Sequence, residues 1–141
     1  MTALAKLLRP AATMRALRES ALGLVALVRQ GLPTALVDRL VASGWLTMSD
    51  VDRLIVSRRT LSHRKQHRQP LSADESDRLA RVLRVLLLVE ETFQNPAKAV
   101  AWLRRRNRAL QGSEPLALLD TDGGARAVET VLGRLAHGVY A

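Results

Sequence analysis

Apolar residues recur at spacings of three and four along most of the chain, the period of helices that bury one face, and no hairpin signal interrupts them. The breaks in this pattern carry start and stop signals. Thr13 to Arg29 reads as a first long helix with Leu17, Leu24, Leu27 and Val28 on one stripe. Gly31-Leu32-Pro33 stops it, because proline cannot continue a helix. A second helix runs from Pro33 or Thr34 to Ala42 and ends at Ser43-Gly44, where glycine supplies a left-handed cap. Thr47, three residues before Asp50, caps a short helix reaching Leu54 or Ile55, and Ser57 caps the next, which reaches about His67. The short gap between these two is the spacing of a helix-turn-helix.

Ser72 and Glu75 form a capping box that opens the longest helix, Ala73 to Gln94, whose stripe of Leu79, Val82, Leu83, Leu86, Val89 and Phe93 has Glu90 as its polar exception. Asn95-Pro96 restarts a helix to about Arg105, and Pro115 starts a short turn through Leu119. Asp120 or Thr121 caps a last helix from Asp122 to Ala136, which Gly138 ends. The fold class is therefore all-α. The expected organisation is a run of helices with a helix-turn-helix near its middle and a long helix leading into the last third.

Composition adds boundaries to this picture. With 48% hydrophobic residues in 141, a core of modest size is expected. The chain has no cysteine, so neither a disulfide framework nor a thiolate metal site is available, and a cytoplasmic location is expected. The apolar run Ala21 to Val28 is far shorter than the ~20 residues of a membrane span, so no membrane partner is expected. The first eighteen residues are basic and lack acids, as targeting peptides do, yet a pair of amphipathic helices accounts for them equally well.

The net charge of +9 is uneven. Residues 1–70 hold 12 Lys+Arg against 4 Asp+Glu, giving +8, whereas residues 71–141 hold 10 against 9, giving +1. A polyanion partner for the first half follows, nucleic acid ahead of an anionic membrane surface, because neutralised phosphates release counterions. Within that half, Ser57 to Gln69 contains five Lys+Arg and no acid. Leu61 should face the core and direct its neighbours outward, so Arg58, Arg59, Thr60, Ser62, His63, Arg64, Lys65 and Arg68 are the expected DNA-binding residues, through phosphates and base edges.

His63 and His67 stand four residues apart, a spacing that allows a shared metal, but the cationic neighbourhood without a carboxylate argues against one and no metal site is expected. Arg104, Arg105, Arg106 and Arg108 form a second basic cluster, which serves either a partner or the dipole of the preceding helix. Trp45 and Trp102 sit in apolar helical patterns and are expected in the core. There is no phosphate-binding glycine loop and no nucleophile elbow, and Glu90 and Glu91 are adjacent on a helix and point to different faces. No enzyme activity, catalytic residue or cofactor is expected.

From about Ser57 onward the chain resembles the Xre/MbcA/ParS antitoxin family. The resemblance rests on Arg58-Arg59-Thr60-Leu61, Leu71-Ser72 with Glu75-Ser76-Asp77-Arg78-Leu79, Phe93 with Asn95-Pro96 and Ala99, and Trp102-Leu103. It continues through Asn107 with Ala109-Leu110, Pro115-Leu116, Leu118-Leu119, Gly124-Ala125, Val128-Glu129 and Leu132-Gly133-Arg134-Leu135, then His137-Gly138-Val139-Tyr140. Residues 1–56 match only in helical character and in Gly31-Leu32-Pro33. Ser57 and Arg108 stand where members often have proline, Gly123 where alanine is usual, and Ala136 where glutamate is common.

The resemblance implies an Xre-like helix-turn-helix domain (residues 31–83), preceded by an N-terminal helical extension (1–30), that binds operator DNA as a homodimer and represses its own operon, followed by a ParS-type toxin-binding domain (84–141). The implied partner is a RES-domain toxin that consumes NAD, blocked when the C-terminal end of the antitoxin covers its active-site entrance. The implied toxin-binding residues are Arg105, Asn107, Leu110, Arg134, His137, Gly138, Val139 and Tyr140. A tail in which glycine frees the direction and tyrosine offers apolar area with a hydroxyl suits insertion. The alternative is a helix-turn-helix transcription regulator or chromosome-associated DNA-binding protein without a toxin partner.

Overall fold

Local capping chemistry divides the chain as its sequence predicts. The computed structural model describes residues 3–7, 15, 17 and 21–138. Among these residues the elements are helical, with a single isolated bridge between Asn107 and Ser113 and no strand. Two compact units, Met1–Ala80 and Arg81–Ala141, meet inside one continuous helix.

The first unit contains α1 (Ala3–Leu7), α2 (Ala21–Gln30), α3 (Thr34–Ala42), α4 (Met48–Leu54), α5 (Arg58–Gln66) and the start of α6 (Ala73–Phe93). Of the expected helix from Thr13, the described part is α2 with Arg15 and Leu17 also helical; the rest lies outside the described residues. Gly31 ends α2 at φ +96°, and a Cβ there would overlap the carbonyl oxygen of Leu71. That close approach belongs to a buried junction. The Leu71 N–H donates to the Leu32 carbonyl at 3.0 Å, and the Leu32 N–H donates to the Ser76 hydroxyl at 2.8 Å. Ser76 is fully buried, so this bond spares the Leu32 N–H an unsatisfied burial costing about 1–3 kcal/mol.

Leu32, Leu36, Val37, Leu40, Trp45, Leu46, Val51, Leu54, Ile55, Leu61, Leu71 and Leu79 fill the core of this unit. Trp45 is a core residue, as its setting predicts. Thr47 accepts from the Asp50 N–H at 3.1 Å while the Asp50 carboxylate accepts from the Thr47 N–H at 2.7 Å, a reciprocal cap for α4.

The second unit contains the rest of α6, α7 (Pro96–Leu103), two 3₁₀ turns at Arg108–Leu110 and Pro115–Asp120, and α8 (Asp122–Ala136). Asn95 caps α7 by accepting from the Lys98 N–H at 3.0 Å. The helix ends at Leu103, two residues before the sequence expectation, with Arg104 as its cap. Trp102 is half-buried, its ring 5.8 Å from that of Phe93, and so edges the core. The Arg81 guanidinium donates to the carbonyls of Leu119 and Asp120 at 3.1 and 3.2 Å, satisfying the end of the second 3₁₀ turn. Thr121 then caps α8 through the Gly124 N–H, and Ala125, Val128, Val131 and Leu132 bury its apolar stripe. Gly124 has no room for a side chain: a Cβ would overlap the Leu118 carbonyl oxygen.

Candidate functional site: a basic helix and an exposed C-terminal turn

The positive charge of the first unit is carried to its surface by a three-residue turn. Ile55 and Val56 are buried, and Ser57 accepts from the Thr60 N–H at 3.1 Å to start α5. The Arg58 N–H, the next orphan donor, is taken by the Asp52 carboxylate of α4 at 3.0 Å. Leu61 is 3% exposed and pins α5 to the core, so the opposite face is free.

Arg58, Arg59, Ser62, His63, Lys65 and Arg68 are exposed and Thr60 is half-buried, an arrangement suited to an anionic groove. Lys65 is paired with Asp38 at 3.0 Å, but both side chains are 47% exposed, so a phosphate is able to exchange for the carboxylate at little cost. Arg68 occupies the left-handed region at φ +53° and closes α5, with the Gln69 N–H bonded to the Arg64 carbonyl at 2.8 Å.

Arg64 behaves differently from its neighbours. Its Nε and Nη2 donate to the two carboxylate oxygens of Glu75 at 3.2 and 3.3 Å, and Nη1 reaches the Gln69 amide oxygen at 3.4 Å. The fork is turned toward α6, so Arg64 holds the basic helix in place. Burial raises the Glu75 carboxyl pKa, but the hydrogen bonds from Arg64 and the Ser72 N–H, with the charge of Arg64, outweigh it and hold the group below its ordinary value.

Helical geometry places Arg59, His63 and Gln66 on the face opposite Leu61, at i, i+4 and i+7. Gln66 is exposed and was not among the residues expected to bind DNA; its spacing from Arg59 and His63 was the available signal. The His63 and His67 rings lie 4.1 Å apart, and His67 Nδ1 is 3.0 Å from the His63 carbonyl oxygen. Since a carbonyl only accepts, a hydrogen bond here requires the tautomer with the proton on His67 Nδ1. Among the described residues no group of three His, Cys, Asp or Glu is placed to hold a metal ion, and no helix is long and apolar enough to cross a membrane.

In the second unit, Asn107 organises the loop after α7. Its side-chain oxygen accepts from the Ala109 N–H at 2.9 Å, its N–H donates to the Ser113 carbonyl at 3.0 Å, and its carbonyl accepts from Leu110 and Gly112. Leu110 keeps only 7% of its surface and anchors the loop, so it offers a partner little area as it stands. Arg105 is exposed and Asn107 half-buried. Arg134 and His137 are exposed on the last turn of α8, and Gly138 leaves it at φ +71°. Val139 and Tyr140 lie outside the described residues.

The comparisons with known proteins fall on these same spans. Residues 23–84 match the antitoxin Xre-like helix-turn-helix domain, and residues 88–138 match the antitoxin Xre/MbcA/ParS C-terminal toxin-binding domain. An Xre antitoxin of Photorhabdus laumondii is 34% identical over 118 residues, covering 81% of this chain and 78% of that protein. The chain belongs to the Xre/MbcA/ParS antitoxin family. An Xre antitoxin of Pseudomonas putida is 33% identical over 79% of this chain and 69% of its own. A Prs ADP-ribosylating antitoxin of Sphingobium is 28% identical over 88% and 84%.

For this antitoxin the helix-turn-helix match begins at Gly23, so it takes in most of α2. The toxin-binding match ends at Gly138, the residue at which α8 has already given way to a left-handed turn. Ser57 lies inside the helix-turn-helix match and caps α5 through its hydroxyl.

Proposed function

We propose that this antitoxin neutralises a RES-domain, NAD-degrading toxin by lodging its C-terminal segment at the entrance of the toxin's active site, and that it represses its own operon in the cytoplasm by binding operator DNA. The observation that carries the toxin reading is the end of α8: exposed Arg134 and His137 and a left-handed Gly138, reached by the toxin-binding match. Arg105 and Asn107 are the further contacts, with Leu110 supporting them from beneath.

The test is co-expression with the protein encoded by the adjacent gene while cellular NAD is followed. The full chain should prevent NAD loss, and a chain lacking Val139, Tyr140 and Ala141 should fail to do so while still binding operator. Full protection by the truncated chain would sink the plug. A neighbour that leaves NAD untouched, or is not bound, would sink the toxin reading and leave a helix-turn-helix regulator. The Sphingobium relative's name, which mentions ADP-ribosylation, favours a second chemistry for the partner, transfer of ADP-ribose from NAD. Label from NAD appearing on protein, rather than only as free products, would favour it.

The DNA reading rests on α5, where Arg59, His63 and Gln66, flanked by Arg58, Thr60, Ser62, Lys65 and Arg68, meet the groove and its phosphates. A homodimer would present two such helices to a two-fold operator. Leu22 and Val25 on α2, 83% and 41% exposed, are apolar surface for that contact. Light scattering of the intact chain and of Leu22→Asp checks it; a monomer at working concentration in both would refute it.

A further inference from the structure

The second unit holds nine Lys+Arg against six Asp+Glu, a charge of +3. Four of those cations, Arg104, Arg105, Arg106 and Arg108, fall within five residues, so the remainder of the unit is −1. Its whole positive excess sits on one loop. A cationic helix end is ordinarily explained by the helix dipole, which acts within the last turn. Here α7 stops at Leu103 and Arg104 occupies the cap, so Arg105, Arg106 and Arg108 lie beyond that field.

All three are exposed. Among the described residues no carboxylate lies within ion-pair distance of any of them. Like charges this close repel one another. The loop is nonetheless firmly built: the Asn107–Ser113 bridge, the Asn107 side chain on the Ala109 N–H, and left-handed Gln111 and Gly112 fix its backbone, with Leu110 buried under it. The first 3₁₀ turn, which carries Arg108, also packs on α8. Guanidinium forks on a pre-formed loop lose less freedom on binding than they would on a floppy one.

We propose that this arginine loop is a second docking point, separate from the C-terminal plug, and that it engages a cluster of Asp and Glu carboxylates on the toxin. This rests on the toxin-neutralising reading. The isolation of the charge favours a protein surface over DNA: a polyanion is met by a broad basic field such as that of α5, whereas a compact patch on an otherwise slightly negative unit fits a patch of matching size. The loop speeds encounter and sets orientation, and the tail supplies the slow-dissociating contact.

The test uses the full-length chain and the protein encoded by the adjacent gene, with association and dissociation rates measured from about 50 mM to about 500 mM salt. The variant Arg105→Ala/Arg106→Ala/Arg108→Ala changes only exposed side chains, and its urea midpoint should match that of the parent. At low salt its association rate should fall by about tenfold or more and its salt dependence should flatten, with a small change in dissociation. Operator binding should not change. The corresponding triple lysine variant should recover most of the association rate.

An association rate and salt slope equal to the parent's would overturn the proposal, as would a lysine variant no better than the alanine one. Loss of operator affinity in the alanine variant with toxin kinetics unchanged would make the loop a nucleic-acid contact and overturn it too. If the parent chain itself does not bind the neighbour, the toxin reading falls and this inference falls with it.

Discussion

Breaking the Arg64–Glu75 pair tests whether Arg64 is a structural clamp or a DNA contact. The fork makes two charge-assisted bonds, at 3.2 and 3.3 Å, between side chains that are 26% and 10% exposed. Both bonds are longer than the ~2.8 Å typical of strong ion-pair geometry, and Arg64 is partly solvated. The coupling should therefore be about 1–2 kcal/mol, below the 3–5 kcal/mol lost when a fully buried pair is broken. Glu75 also accepts the Ser72 N–H at 2.8 Å, so Glu75→Ala loses half of a capping box as well, about 1 kcal/mol more. Urea unfolding of Arg64→Ala, Glu75→Ala and the double variant isolates the pairwise part, and a sum of single effects within about 0.3 kcal/mol of the double would refute it.

The same clamp has a pH signature. Because the folded-state pKa of Glu75 is depressed, its contribution is fully present above the unfolded value of 4.5 and is lost as pH falls through the lower folded value. The coupling measured near neutrality should thus shrink in acid below that point. Operator binding separates the roles further. Arg64→Ala should weaken it by loosening α5 while leaving the salt slope unaltered, since no phosphate contact is removed.

Arg59→Ala and Gln66→Ala should each weaken operator binding by about 1–3 kcal/mol and relax preference at one base pair, as read by competition with scrambled duplexes; equal binding by both would move the reading face elsewhere. Adjacent glycines at the start of α8 should respond in opposite directions. Gly124→Ala meets the Leu118 carbonyl and should cost about 1–3 kcal/mol. Gly123→Ala meets nothing within 4 Å and should stabilise by about 0.4–1 kcal/mol. Thermal unfolding of the two variants decides this, and a shared sign would contradict the backbone geometry.

Helix starts were legible because capping is local: Thr47, Ser57, Ser72 with Glu75, Asn95 and Thr121 each bond a backbone N–H three residues on. The fate of Arg64 was not, because it depends on a carboxylate eleven residues away across a turn. Spacing from Leu61 alone gave Arg64 and Lys65 equal claims on the solvent. The end of α7 was misjudged by two residues, since three consecutive arginines carry no stop signal and the loop is set by Asn107. The charge changes at residue 70, but the packing does not: Leu71 is a buried member of the first unit, and the division into units falls at Ala80 and Arg81 within α6.

The junction at Leu32 and Leu71 joins the two ends of everything that carries the basic helix α5. Chain enters at Leu32, runs through α3, α4 and α5, and returns to Leu71, whose amide closes the circuit on the Leu32 carbonyl. A segment whose ends touch is exchangeable as a cassette. Substitution of the whole interval by the corresponding stretch of a relative would need to preserve Gly31, the Leu32–Leu71 bond, Ser76, the Arg64–Glu75 pair and the apolar faces buried in the core of the unit. The exposed face of α5 is thereby free to vary without altering the contacts that close the interval.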